Sequence, residues 1–211
     1  MTSWVTARVS AAVEQDGECV LPARLFRDIV NRVEDRVVVE ANDGQALVTA
    51  GRAKFTLNSL PADQFPRPPA GAEPVAEVAG LDRVLFAVSR DETRPILTGA
   101  FFDGGTLVAT DGTRLARVKG APFEGKAVVP AAALVPLARK ESVRFAIHDR
   151  TAAFRADGLE VVARLLDGAF PSYDGVLPKD YPFEVVADRQ QLISALERLE
   201  VIHDVVRLVL S

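Results

Sequence analysis

The chain has 211 residues, 48% of them hydrophobic and 26% charged, with a net charge of −4. That composition fits a globular protein and excludes a wholly basic nucleic-acid binder, so any DNA contact needs a local basic surface on an acidic body. The single cysteine, Cys19, excludes an internal disulfide, and no apolar run approaches the roughly 20 residues of a membrane-spanning helix. The start, Met1-Thr2-Ser3-Trp4, lacks the basic-then-apolar pattern of a signal peptide.

Taken in order, Val20–Val33 predicts a helix, with Pro22 at its first position and Leu25, Ile29 and Val33 on one face. Strands follow at Val37–Ala41, Gln45–Ala50 and Ala53–Leu57, separated by turns at Asn42-Asp43-Gly44 and Gly51. The proline-rich stretch Arg67–Pro74 reads as a linker. Glu77–Arg90 predicts a short strand and then an amphipathic helix. Arg94–Ala116 predicts strands at Ile96–Phe102 and Thr106–Thr110 joined by Asp103-Gly104-Gly105, then a turn at Asp111-Gly112 and a new extended segment from Arg114.

The order seen in the first third then recurs. Val129-Pro130 opens a helical stretch to Arg139, and strands follow at Val143–Ile147, Thr151–Ala156 and Leu159–Leu166. Pro22 and Pro130 are 108 residues apart, Gly51 and Gly158 are 107 apart, and Phe65 and Phe170 are 105 apart. Glu184–Arg198 repeats the strand and helix of Glu77–Arg90, and Val206–Leu210 echoes the strand at Ala100-Phe101-Phe102. Order and spacing together identify an internal repeat. By themselves they establish a duplicated α+β domain. One helix carries an interior proline, Pro136, which predicts a kinked or short helix there.

Catalytic chemistry finds little support. His148 falls at a turn tip and His203 near a helix end, neither with a second ligand at metal-binding spacing. Cys19 reads as a small half-buried hydrophobe, and no phosphate-cradling glycine loop is present. No cofactor or metal is expected.

Several motifs together resemble the beta subunit of bacterial DNA polymerase III, the replicative sliding clamp. They are Thr93–Gly99 (T-R-P-I-L-T-G), Ala109–Ala116 (A-T-D-G-T-R-L-A), Val129–Ala131, and Asp167–Pro178 (D-G-A-F-P-S-Y-D-G-V-L-P), with Phe55–Pro66 in the earlier unit. The resemblance implies the α+β DNA-clamp fold of tandem strand–helix–strand repeats. It divides the chain into the C-terminal half of a first clamp domain (1–70), a complete central domain (71–182) and the opening of a third (183–211). Relative to the family the expectation is a chain truncated at both ends.

Function follows from the same resemblance. It implies a non-enzymatic, cytoplasmic, nucleoid-associated processivity factor that holds duplex DNA without reading its sequence. Polymerase and clamp-loader subunits would dock through short apolar peptides. The implied peptide pocket comprises Leu97, Thr110, Gly112, Thr113, Arg114, Leu115, Pro171, Gly175 and Val176. Gly175 stands where the family often carries a longer side chain, and the family pocket is completed by the third domain.

Implied DNA-facing residues are Arg24, Arg27, Arg32, Arg83, Arg90, Arg94, Arg139, Arg189 and Arg198, with Arg83 and Arg90 on one helical face. The implied protomer interface is Leu25, Phe26, Phe55 and Leu57. A ring closed in the family's usual way is not expected of this chain. The alternative is an interaction module that binds clamp partners, or full clamps, without encircling DNA. An enzyme on a duplicated α+β fold is the least supported reading.

Overall fold

The computed structural model of the chain describes residues 3–33, 36–42, 44–69, 72–200, 205–207 and 209. The chain divides into two compact units, Met1–Phe170 and Pro171–Ser211. Within the first, the elements run β1 (Ser3–Ala7), α1 (Ala23–Val30), β2 (Val37–Asn42), β3 (Gln45–Ala50), β4 (Ala53–Asn58), β5 (Ala76–Val78), α2 (Asp82–Leu85), β6 (Gly99–Asp103), β7 (Thr106–Thr110), β8 (Leu115–Lys119), β9 (Lys126–Pro130), α3 (Ala131–Leu134), β10 (Val143–His148), β11 (Thr151–Ala156) and β12 (Leu159–Arg164). The second unit holds α4 (Arg189–Glu200).

The strands form three antiparallel sheets, in the orders β2-β3-β4, β8-β7-β6-β9 and β1-β12-β11-β10-β5. Two of these sheets exchange strands between the repeated halves. β5 opens the first half but pairs with β10 of the second, and β9 opens the second half but pairs with β6 of the first. Each half thus completes the other's sheet. β1 crosses from the N-terminal stretch to cover the edge of β12, with Ser3 opposite Ala163 and Ala7 opposite Leu159.

Alternating burial organises the small sheet. Ala46, Val48 and Ala50 of β3 are buried and lie opposite Leu57, Phe55 and Ala53 of β4. The intervening Gln45, Lys54, Thr56 and Asn58 take the other, exposed face. In the larger pair of sheets Phe102, Phe145 and Phe154 are almost fully buried. Phe102 and Phe145 lie 5.2 Å apart between ring centroids, and Phe123 meets Phe145 edge-on at 5.0 Å. Val84 of α2 and Leu134 of α3 join the same core.

Several expectations need correction. Ile96–Thr98 is not strand: Pro95–Thr98 forms a 3₁₀ turn, because proline presets its φ and the Thr98 hydroxyl donates to the Pro95 carbonyl at 2.7 Å. Pro22 caps α1 in an extended conformation and does not enter it. α1 buries none of its residues, and Leu25 of the expected apolar face is 55% exposed.

α2 stops at Leu85, well short of Arg90. The main-chain N–H of Ser89 donates to the Leu97 carbonyl at 2.9 Å, so a tertiary partner replaces further helical bonds. α3 ends after four residues and continues as a 3₁₀ turn over Val135–Leu137, where Pro136 sits, as its ring requires. Glu184–Val186 is irregular rather than a strand. Of the expected terminal strand, Leu208 and Leu210 lie outside the described residues, as does His203, and Val206, Arg207 and Val209 carry no strand.

Candidate peptide-docking site

The sequence Asp-x-Thr-Arg occurs twice, at Asp91–Arg94 and Asp111–Arg114, and in both the aspartate accepts from the threonine N–H and the arginine Nε. Asp111 follows β7. Its Oδ1 accepts the main-chain N–H of Thr113 at 2.9 Å and of Arg114 at 3.0 Å. Its Oδ2 accepts the Arg114 Nε at 3.0 Å. Asp91 accepts the Thr93 N–H at 3.0 Å, the Thr93 hydroxyl at 2.6 Å and the Arg94 Nε at 3.1 Å. Each aspartate ties its own turn to the arginine three residues on.

These bonds stabilise the ionised carboxylates. Asp111 is held below its ordinary 3.8, first by the N–H of Arg114, then by that of Thr113, with the Arg114 guanidinium adding to both. Asp91 is lowered chiefly by the Thr93 hydroxyl, then by the Thr93 N–H and Arg94.

Thr110 and Gly112 complete the turn. The Thr110 hydroxyl donates to the Arg114 carbonyl at 2.7 Å and accepts the Gly112 N–H at 3.1 Å, so its hydroxyl is committed to the turn. Gly112 has φ +93°, which favours glycine. A Cβ there would stand 3.2 Å from Nη1 of Arg94. Arg94, expected on a DNA-facing helix, lies instead before the 3₁₀ turn, against the Asp111–Gly112 turn.

The Arg114 guanidinium lies 5.5 Å from the centroid of the Phe86 ring. Phe86 closes α2 and is 59% exposed. Sequence reasoning missed this residue. Its signal in the sequence is a large aromatic standing off the apolar stripe of Leu81, Val84 and Val88.

Leu97 is buried at 6% exposure and so offers the surface little, whereas Leu115 is half-buried at the start of β8. Pro171, Gly175 and Val176 belong to the second unit. Val176 ends a 3₁₀ turn over Asp174–Val176 and is 70% exposed, and a Cβ on Gly175 would meet nothing within 4 Å.

The arginines expected to face DNA are distributed unevenly. Arg24 and Arg27 lie on α1 and Arg83 on α2, all exposed. Arg32 follows α1 and donates to the Asp28 carbonyl at 2.7 Å. Arg90 lies beyond α2, and Arg139 beyond the 3₁₀ turn that ends α3, so neither rides a helix face and the pairing of Arg83 with Arg90 fails. Arg189 and Arg198 both lie on α4, nine residues apart and therefore on opposite sides. Of the expected interface residues, Leu25 is exposed, Phe26 and Phe55 are half-buried, and Leu57 is buried opposite Ala46, which commits it to the sheet core.

Among the described residues no group of three or more His, Cys, Asp or Glu could hold a metal ion, and no helix is long and apolar enough to cross a membrane. A shallow cleft of about 410 Å³ lies elsewhere in the first unit. Its floor is Phe101 stacked on Phe170 at 4.8 Å, and Arg150, paired with Asp167 at 2.6 Å, stands at its rim.

Known proteins share this organisation. Residues 78–172 match the family model of the DNA polymerase III beta subunit, central domain, and residues 3–69 match that of its N-terminal domain. The chain belongs to the DNA polymerase III beta-subunit family. Among curated relatives it is 35% identical to the beta sliding clamp of Synechococcus elongatus, over 92% of this chain and 59% of that protein. It is 32% identical to that of Bacillus subtilis, over 88% of this chain and 55% of that protein. The chain therefore spans less than two thirds of the length of these clamps.

Solved clamps share the fold. The Pseudomonas aeruginosa beta subunit superimposes with a TM-score of 0.72 at 30% identity, covering 95% of this chain and 62% of that one. A sliding clamp from Bartonella birtlesii, bound to griselimycin, gives 0.80 at 27% identity, covering 96% and 62%.

Proposed function

We propose that this chain acts as a sliding-clamp-type processivity factor, associating with duplex DNA and tethering polymerase and other replication or repair proteins by their short apolar peptides. The observation that carries this reading is the continuous match to the N-terminal and then the central domain of the beta subunit, on a chain that builds the exchanged-sheet domain. The work assigned to the protein is non-catalytic: binding, tethering and sliding. DNA contact comes from exposed helix arginines such as Arg24, Arg27 and Arg83, through phosphates and without base readout. Partner peptides dock beside the Asp111–Arg114 turn, with Leu115 as apolar contact and Arg114 at the rim. Pro171, Gly175 and Val176 are assigned to the same function. A cytoplasmic, nucleoid-associated location follows from that role.

Retention on nicked circular DNA, lost when the circle is linearised, tests encirclement. Equal retention on both forms would refute it.

A second reading has its own support. The Asp111 clamp, Arg94, Arg114 and Phe86 all lie within Met1–Phe170, so the turn needs no ring to form. On that reading the chain binds clamp partners, or full clamps, without encircling DNA. Native mass separates the two: a closed oligomer supports the first, and a monomer that binds a Gln-x-x-Leu-Phe peptide supports the second.

A further inference from the structure

We propose that Phe86 is a positioning residue for peptide recognition, holding the Arg114 guanidinium in one orientation so that it can meet an acceptor oxygen of a docked peptide. This rests on the docking reading given above.

An arginine at a surface rim ordinarily lacks order. A free guanidinium on a flexible stem samples many rotamers, and fixing it on binding costs entropy. Arg114 is restrained from two directions. Its Nε is used by Asp111 Oδ2 at 3.0 Å, which fixes one edge of the plane. The Phe86 ring lies 5.5 Å from its Cζ, within the range of cation–π attraction, and restrains the group from a second direction. The Arg114 side chain is nonetheless 57% exposed. Asp111 itself is immobilised by the N–H groups of Thr113 and Arg114. The guanidinium is therefore both ordered and accessible, which is the condition for recognising a carboxylate or carbonyl oxygen with little ordering cost.

Phe86 stands apart from the core. It is 59% exposed at the end of α2, between Val84 and Ala87, which are fully buried. A large aromatic left in solvent beside a core-facing turn is explained by what it holds. The contact also joins α2 to the turn before β8, two elements brought together by the fold and not by sequence.

The experiment is peptide binding by fluorescence anisotropy with a labelled Gln-x-x-Leu-Phe peptide. The chains compared are wild type, Phe86→Leu, Phe86→Tyr, Arg114→Gln, the Phe86→Leu/Arg114→Gln double variant and Leu115→Asp. Phe86→Leu is expected to weaken binding about three- to fivefold, Phe86→Tyr to retain wild-type affinity, and Phe86→Leu to add nothing in the Arg114→Gln background. Thermal unfolding of Phe86→Leu at the wild-type temperature separates positioning from damage to the fold.

Wild-type affinity for Phe86→Leu, with Leu115→Asp still abolishing binding, overturns the role of Phe86 and leaves the docking site standing. Equal losses for Phe86→Leu in both backgrounds show that it acts other than through Arg114 and also overturn the proposal. Peptide binding indifferent to Leu115→Asp, or absent from the wild-type chain, overturns the docking reading and the proposal with it.

Discussion

Nη2 of Arg94 donates to the main-chain carbonyl of Asp111 at 3.4 Å, across 17 residues of sequence. The bond is long, but it does not act alone. Arg94 is anchored by Asp91 at 3.1 Å, and Asp111 anchors Arg114 at 3.0 Å. One Asp-x-Thr-Arg turn therefore leans on the other, and the local order of each supports the shape of both. Two short motifs become one surface.

Gly112 sits where the two turns meet, and its replacement by alanine tests the arrangement. The nearest atom to a new Cβ, Nη1 of Arg94, is the end of a flexible side chain and can move away. The backbone cannot: φ of +93° is strained for any L residue. Gly112→Ala is expected to cost about 1–3 kcal/mol of stability in urea unfolding. A cost below about 0.5 kcal/mol would contradict backbone strain at this position.

Gly99 makes a stronger demand of a different kind. A Cβ there would lie 2.4 Å from the Val129 carbonyl oxygen and 2.9 Å from side-chain atoms of Leu166 and Val128. Its φ of −125° is ordinary, so only space is at issue. β6 and β9 would have to separate at the Gly99–Pro130 register, where the two halves exchange strands. Gly99→Ala is expected to destabilise by about 1–3 kcal/mol or more, with faster amide exchange in β9. Unchanged exchange in β9 would show that the backbone yields elsewhere.

The sequence discloses some of this and hides the rest for physical reasons. Gln45–Ala50 and Thr151–Ala156 are legible to the residue, because each is an apolar-rich run bounded by turn formers. The repeat is legible because a spacing near 107 residues survives where identities do not. The exchange of β5 and β9 is not: which sheet a strand joins is decided by tertiary pairing, and Lys126–Pro130 looks the same in either. The short α2 is hidden because a helical stripe continues past Leu85, while the Leu97 carbonyl that captures Ser89 lies eight residues beyond it. Arg94 resembles a helix-face cation for the same reason. Phe86 carries no motif at all, and its contact with Arg114 exists only once α2 and the turn before β8 are adjacent.

Acid should loosen the Asp111 turn, but the turn keeps its charge to a lower pH than an ordinary surface carboxylate does. The folded-state pKa of Asp111 lies below the ordinary 3.8, so its contribution to stability is fully present above that value. It is lost as pH falls from there through the folded pKa, because the unfolded chain then binds the proton first. Asp111→Asn keeps an oxygen for the two N–H groups but loses the charge that pairs with Arg114 Nε. The variant is expected to be less stable than wild type at neutral pH and to lose less stability on acidification through the carboxylate range. Urea midpoints across that range check both statements, and parallel curves for the two proteins would refute the linkage.

The DNA assignment is most directly tested on α1. Arg24 and Arg27 are three residues apart on the helix, hence on one side, and both are exposed. Arg27 also contacts Asp28 at 3.2 Å, but that pair is solvent-exposed and contributes little that a phosphate could not replace. The double change Arg24→Ala/Arg27→Ala is expected to weaken duplex binding equally for unrelated sequences. It should reduce the slope of log K against log salt by about 2, one unit for each phosphate that is no longer neutralised. Arg150→Ala serves as the control, because Arg150 sits in the turn between β10 and β11, off every helix, and is paired with Asp167, so its loss should leave the slope unchanged. If both variants shift the slope alike, the binding reflects nonspecific charge, and α1 has no special place against the duplex.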